Sequence, residues 1–241
     1  MHKNYPKYFL FIDKLNIEDI KDIKNKTALI YRNYEKKPKI DEVKKFKNFC
    51  KKNKIKFLIF HYTGMKKEKY AINRLTNYRS KVSSHYFIKN NGEIITLVPD
   101  LYVAWHAGIS SWKIFKSINK YSIGIEISNP GHNNNYKKFK KKQISSILKL
   151  SKFLIKKYNI KKNFILGHSD IAPTRKKDPG EKFPWKILSK KNLGWWHKLN
   201  TKNLKKHRKI KLASKYEKNK FLMNLRKIGY NDIKGLKKNI S

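Results

Sequence analysis

Between positions 122 and 128 the chain reads Ser-Ile-Gly-Ile-Glu-Ile-Ser, a mostly apolar strand fit to be buried on both faces, with one carboxylate set into it. A strand of that kind needs paired neighbours and a covering layer on each side. The rest of the sequence supplies them. Phe57-Leu58-Ile59-Phe60 and Phe164-Ile165-Leu166 read as short apolar strands. Residues 86–89 and 94–98 flank Asn90-Asn91-Gly92, a hairpin signal of the Asn-Gly kind. Residues 137–158 form the clearest helix, with apolar positions 144, 147, 148, 154, 155 and 158 on one face and lysines over much of the rest. The fold class this predicts is α/β, a mixed central β-sheet with helices on both sides.

Three regions are expected. Residues 1–55 alternate: strand at 8–12, short helix at 17–23, strand at 28–31, helix at 40–52 with apolar residues at 40, 43, 46, 49 and 50, then a strand at 56–60. This β-α-β-α-β reading assigns no chemistry. Residues 56–186 hold the turn signals and polar motifs. Residues 187–241 form a helical tail with Trp195-Trp196 and an amphipathic helix near 216–228, which Gly229 suits as a C-terminal cap.

Composition narrows the class. The 241 residues are 39% hydrophobic, enough for a core. A single cysteine, Cys50, excludes an internal disulfide framework and any multi-cysteine metal site, and reads as a small buried hydrophobe. No apolar run is long enough to span a membrane, and the run at 8–12 is too short for a secretory signal. A cytoplasmic location is therefore expected, with a periplasmic or wall-associated one as the alternative. The net charge of +44 suggests a polyanionic partner. However, 54 of the 60 basic residues are lysine, scattered over the whole chain, and the six arginines are at 32, 74, 79, 175, 208 and 226. Arginine is the residue that grips phosphates and bases bidentately. The lysine excess, together with many Ile and Asn, reads as compositional bias, and no specific nucleic-acid partner is expected.

Three features carry chemistry. His61 ends the strand at 57–60 and would project into the cleft formed by the following loop, although a lone histidine is as well explained structurally. His168 likewise ends a short strand, and Asp178 lies ten residues on, in a loop stiffened by Pro173 and Pro179. Two histidines and one carboxylate form a catalytic zinc set that leaves a position for water. Glu126 interrupts the apolar strand; it is either exposed on one face or set beside a cation, since a buried unpaired carboxylate is costly.

In combination these segments resemble the N-acetylmuramoyl-L-alanine amidases of the type 2 family, relatives of peptidoglycan recognition proteins and T7 lysozyme. The matching stretches occur in the family's order: His61-Tyr62-Thr63-Gly64-Met65, Val82-Ser83-Ser84-His85-Tyr86, Leu97-Val98-Pro99, Ala104-Trp105-His106-Ala107-Gly108, Ser122-Ile123-Gly124-Ile125-Glu126, residues 167–180, and Phe183-Pro184-Trp185. They cover about residues 56–186.

The resemblance implies one zinc ion held by His61, His168 and Asp178, with Glu126 as general base. It implies Lys176 as the cation at the oxyanion, chosen over Lys177 because the family leaves one residue between lysine and aspartate. Trp105 and His106 are expected to line the substrate groove, His85 to be structural and His132 a loop histidine. Some relatives carry a tyrosine where this chain has Ser84, so no tyrosine role is assigned. The implied substrate is peptidoglycan or an anhydro-muropeptide, cleaved between the lactyl group and L-alanine. The alternative is a non-catalytic peptidoglycan-binding module. The stretch 221–230 is weakly similar to the start of a helical peptidoglycan-binding module.

Overall fold

The computed structural model of the chain describes residues 8–12, 14–17, 27–31, 37–52, 54–210 and 214–231. The helix expected at 17–23 lies almost wholly outside them. The chain divides into two compact units, Met1–Lys54 and Ile55–Ser241.

In the first unit, β1 (Tyr8–Ile12) and β2 (Thr27–Tyr31) pair in parallel with Tyr8 opposite Thr27. Helix α1 (Ile40–Lys52) opens with Asp41 and Glu42, whose charge suits a helix N-terminus. Phe46 is buried, but Ile40 remains 71% exposed, so the helical period is real while its apolar stripe is only partly covered within this unit. Cys50 is free and half-buried.

The second unit is built on a five-stranded sheet. Its members are β3 (Phe57–Tyr62), β4 (Tyr86–Ile88), β5 (Ile94–Thr96), β8 (Ser122–Ile127) and β9 (Ile165–Gly167), in the order β5-β4-β8-β3-β9. Only the β4–β5 hairpin is antiparallel. The Asn-Gly turn forms where expected, with Gly92 N–H donating to Lys89 O at 3.0 Å. Between β5 and β8 lies a small ribbon of β6 (Ser111–Trp112) and β7 (Phe115–Lys116). The β-α-β-α-β reading of the first 60 residues is corrected here. Its last strand, β3, is the second-to-last strand of the other unit's sheet, hydrogen-bonded to β8 on one side and β9 on the other. An all-apolar run favours such a doubly flanked, doubly covered position.

Two-residue alternation along the paired strands sorts the core into layers. Leu58, Phe60, Ile123, Ile125 and Ile127 face Ile147, Leu150, Leu154 and Tyr158 of helix α3 (Lys141–Tyr158), with Leu188 of α5 (Trp185–Lys190) in the same cluster. Phe57 and Ile59 face the other way, toward Ala107, Trp112, Ile118, Leu166 and Ile171. Each fully buried Ile or Phe here contributes roughly 1.5–3 kcal/mol. The same alternation puts Ser122, Gly124 and Glu126 of β8 beside Phe57, Ile59 and His61 of β3, the residues they pair with in register. The strand is thus buried on both faces as expected, but one of those faces is polar.

Helix α2 (Glu68–Thr76), the turn α4 (His168–Ile171) and α6 (Thr201–Arg208) complete the second unit with α7 (Lys215–Ile228). Ser214 and Glu217 cap α7 reciprocally, and Gly229 closes it with its N–H on Leu225 O. Beyond it Tyr230 returns to the core: its hydroxyl donates to Asp170 Oδ1 at 2.7 Å, its ring packs edge-on against Trp112, and Lys113 N–H donates to Gly229 O at 2.7 Å.

A second polar anchor sits under α3. Asp100, with its side chain 8% exposed, accepts from Tyr86 Oη at 2.5 Å, Tyr158 Oη at 2.6 Å and Lys157 Nζ at 2.8 Å. Burial pushes its carboxyl up, but these three donors outweigh burial and hold it below the usual carboxylate range. A depressed folded-state pKa gives stability that is complete above the unfolded value of about 3.9 and lost as pH falls through the lower folded value. Asp100→Asn is therefore expected to cost about 1.5–3 kcal/mol in urea unfolding at pH 7. The gap to wild type should narrow once the pH falls below about 4. An equal gap at pH 7 and at low pH would remove the charge from this account.

Candidate metal centre and cleft

The parallel strands bring their C-terminal ends to one edge of the sheet, and the polar residues collect there. His61 is the fifth residue of β3 and Glu126 the fifth of β8, and the two are register partners. His168 follows β9 directly, as the first residue of α4 rather than the last of a strand. Gly167 permits this turn to close: a Cβ there would lie 2.5 Å from Pro179 Cδ. Asp170 Oδ2 accepts from Gly167 N–H at 2.8 Å and Ser169 N–H donates to Asp178 O at 2.8 Å, so both ends of the proline-stiffened loop are pinned.

Three buried donor atoms converge. His61 Nδ1 lies 3.0 Å from His168 Nδ1 and 3.0 Å from Asp178 Oδ2, and His168 Nδ1 lies 3.1 Å from Asp178 Oδ2. Among the described residues this is a group able to hold a metal ion. The chemistry of the set fits one. His168 Nε2 faces Ala107 O at 3.1 Å, and a carbonyl only accepts, so the proton is on Nε2 and the Nδ1 lone pair is bare. Burial, then the neighbouring His168, pull His61 down to about 4 against the raising effect of Asp178, so its ring is neutral at pH 7. Asp178 is pushed up by burial, yet its contacts with His168 and His61 hold its carboxyl well below the usual range. A small tetrahedral ion with bonds of about 2.0–2.1 Å sets its ligand atoms ~3.3 Å apart, close to the spacing found.

The group opens on a cleft of about 630 Å³, whose lining includes Tyr62, Arg74, Trp105, His106, Glu126 and Lys176. Glu126 Oε2 is buried and without a hydrogen-bond partner. Burial and then the Asp178 charge raise its carboxyl well above the usual range, opposed by the charges of Lys176 and Arg74. Of the two options read from sequence, exposed on one face or set beside a cation, its surroundings match the second: the residue is half-buried, with the charges of Lys176 and Arg74 acting on its carboxyl. Lys176 and Lys177 both line the cleft, but it is Lys176 whose charge reaches Glu126 and His61.

Trp105 is 54% exposed at the cleft, its backbone exchanging hydrogen bonds with Ser83. His106 also touches the cleft, but it is buried and both its ring nitrogens are engaged, one with His61 and one with Ser122. His85 is structural: Gly124 N–H donates to its Nδ1 at 3.0 Å and its Nε2 faces Tyr102 O at 3.0 Å. His132, expected as a loop residue, sits on the cleft wall between Tyr62 Oη at 2.8 Å and Glu181 Oε2 at 2.9 Å. Arg74 was not singled out by sequence. It sits on α2, a helix too short to show a clear period; its rarity as one of six arginines among 60 basic residues was the available signal.

A family model described as N-acetylmuramoyl-L-alanine amidase matches residues 51–181. The N-acetylmuramoyl-L-alanine amidase AmiD of Escherichia coli is 38% identical over 155 residues, covering 59% of this chain and 55% of AmiD. The 1,6-anhydro-N-acetylmuramyl-L-alanine amidase AmpD of Haemophilus influenzae is 38% identical over 109 residues, covering 45% of this chain and 57% of AmpD. The chain thus spans about half the length of these relatives. Among solved structures, AmpDh3 of Pseudomonas aeruginosa in complex with an anhydromuramic pentapeptide superposes with a TM-score of 0.64 at 29% identity, over 74% of this chain and 75% of the other. AmiD in complex with anhydro-N-acetylmuramic acid-L-Ala-D-γ-Glu-L-Lys gives 0.62 at 34%, over 74% and 72%. Among the described residues no helix is long and apolar enough to cross a membrane.

Removing one donor from the converging set is expected to remove the metal. Asp178→Ala should retain less than a tenth of the wild-type metal content after dialysis, measured by elemental analysis, with the fold intact by circular dichroism. Full metal content in that variant would strike Asp178 from the set.

Proposed function

The chain belongs to the N-acetylmuramoyl-L-alanine amidase family, and from that premise we propose that it hydrolyses the amide between the lactyl group of N-acetylmuramic acid and L-alanine, with one zinc ion held by His61, His168 and Asp178. The observation that carries this reading is the convergence of those three donors at a cleft lined by His168, Asp178 and Glu126, whose Oε2 has no hydrogen-bond partner. The donor set favours zinc, since two imidazoles and one carboxylate with an open fourth position are a catalytic zinc arrangement. Zinc supplies Lewis acidity and draws the pKa of water down toward 7.

The protein's own groups do the rest. Glu126 Oε2 accepts the proton of the attacking water and returns it to the departing L-alanine amine, so the leaving group departs neutral. Its raised pKa makes it a stronger proton acceptor than an exposed glutamate. The Lys176 ammonium stabilises the negative charge that develops on the amide oxygen, in a cleft whose buried walls strengthen that attraction. Trp105 offers an exposed ring at the cleft for the sugar or peptide of the substrate.

The names of the relatives and the contents of the two similar complexes support muropeptides, the anhydro forms included, as the substrate class. A cytoplasmic role goes with free anhydro-muropeptides, and a periplasmic or wall-associated role with intact wall. Residues 1–55 stay without a role in this reading, and residues 187–241 are proposed as a helical appendage to the amidase.

The deciding experiment incubates the protein with a purified anhydro-muropeptide, and separately with intact sacculi, with and without a chelator followed by zinc. Release of free peptide, abolished by the chelator and restored by zinc, is the expected result. No release from either substrate by zinc-loaded protein would replace this reading with that of a non-catalytic binding module. Glu126→Gln should keep its zinc and lose about 10²–10⁴-fold in kcat. Lys176→Ala should lose about 10²–10³-fold. Near-wild-type turnover in either variant would withdraw the role given to that residue.

A further inference from the structure

His61 can bind a metal through Nδ1 only if its single proton sits on Nε2, and in a buried neutral imidazole the hydrogen-bond partners decide which nitrogen holds it. The partners behind the ring answer the question. Ser122 Oγ lies 2.8 Å from Ile118 O; a carbonyl only accepts, so the serine proton is committed to it. With its proton spent, Ser122 Oγ can only accept from His106 Nε2, 3.1 Å away. The buried His106 ring therefore carries its proton on Nε2 and presents a bare Nδ1. That nitrogen lies 3.0 Å from His61 Nε2, which must donate to it, and the His61 Nδ1 lone pair is left facing His168 and Asp178.

We infer that Ser122 and His106 are positioning residues that fix the metal-binding tautomer of His61, through a one-directional relay ending on Ile118 O. The inference rests on the metal-site reading above. It gives the polar face of β8 a reason. Gly124 leaves the space for the relay: a Cβ there would lie 2.4 Å from His106 Cγ. Asn119 Oδ1 holds the backbone of the relay histidine, accepting from His106 N–H at 3.2 Å and Ala107 N–H at 2.8 Å. His168 achieves the same end with one bond, to Ala107 O, the residue next to His106. The segment 106–107 thus orients both imidazoles of the set. His106, expected to line the substrate groove, does touch the cleft, and the relay gives it a second role through His61.

The test reads zinc affinity by competition with a chromophoric chelator, and reads the protonated ring nitrogen of His106 by long-range ¹H–¹⁵N correlation in the wild-type protein. Neither needs turnover, so failure of the amidase reading in a muropeptide assay leaves both readouts intact. Ser122→Ala and His106→Phe are expected to weaken zinc binding about 10- to 100-fold. His106→Gln should stay within a few-fold of wild type, because its amide oxygen can accept from His61 Nε2 while its amide nitrogen donates to Ser122. The wild-type spectrum should show the His106 proton on Nε2, a result that stands even if a variant fails to fold. A proton on Nδ1 would overturn the relay. So would variants that lower the unfolding temperature while binding zinc as tightly as wild type, since that is the signature of packing alone.

Discussion

A carboxylate buried against two imidazoles is the constraint around which the second unit is organised. Asp178 keeps its charge in a site where burial opposes it, and an isolated buried charge costs several kcal/mol. The compensation is supplied by distant parts of the chain: His61 from β3 and His168 from the turn after β9, with the Asp178 loop folded back on α4. These groups meet because the strands are parallel. Parallel pairing aligns strand ends, so residues near the ends of β3, β8 and β9 are delivered to the same edge, the place where open α/β sheets bind their ligands. The right-angled alternative, a meander of hairpins, would scatter them to both edges.

Alternation within β8 separates stability from chemistry along a single six-residue strand. Ile123, Ile125 and Ile127 pack toward α3, while Ser122, Gly124 and Glu126 each do something specific on the opposite face: accept a proton relay, make room for a ring, and present a carboxyl. Neither set can be moved by one position without exchanging the faces. The serine and glycine of this strand are therefore as much part of the centre as the glutamate, though their side chains carry little or no reactivity of their own.

Much of this was legible in the sequence, for identifiable reasons. The strands at 57–62 and 122–127, the hairpin at 86–96 and helices α1, α3 and α7 announce themselves through unbroken apolar runs, an Asn-Gly turn or a sustained 3.6-residue period. Strand ends and a proline-stiffened loop made His61, His168 and Asp178 eligible as ligands, but it was the ordered match to the amidase motifs that joined them into one set. Helix α2 and the β6–β7 ribbon escaped because two turns of helix or two-residue strands are too short to establish a period. The membership of β3 in the second sheet escaped because pairing is non-local: nothing within residues 1–60 says that the partners lie at 122–127 and 165–167. The relay through His106 was invisible for a similar reason. Which proton sits on which nitrogen depends on a carbonyl at 118 and a hydroxyl at 122, and those acquire meaning only once the backbone places them.

Tyr230 closes a circuit that the sequence leaves open. Its hydroxyl shares Asp170 with Gly167 N–H, one carboxylate serving both the end of the chain's last described helix and the turn that begins at His168. Two events are thereby written into the same few atoms: seating of α7 and ordering of the loop that carries His168 and Asp178. Thermodynamic reciprocity then applies. Whatever seating the helix adds to the order of that loop, an ion bound by the loop returns to the helix as resistance to being peeled away. Loosening the helix would then slacken the turn that carries His168, and stiffening that turn would hold the helix down.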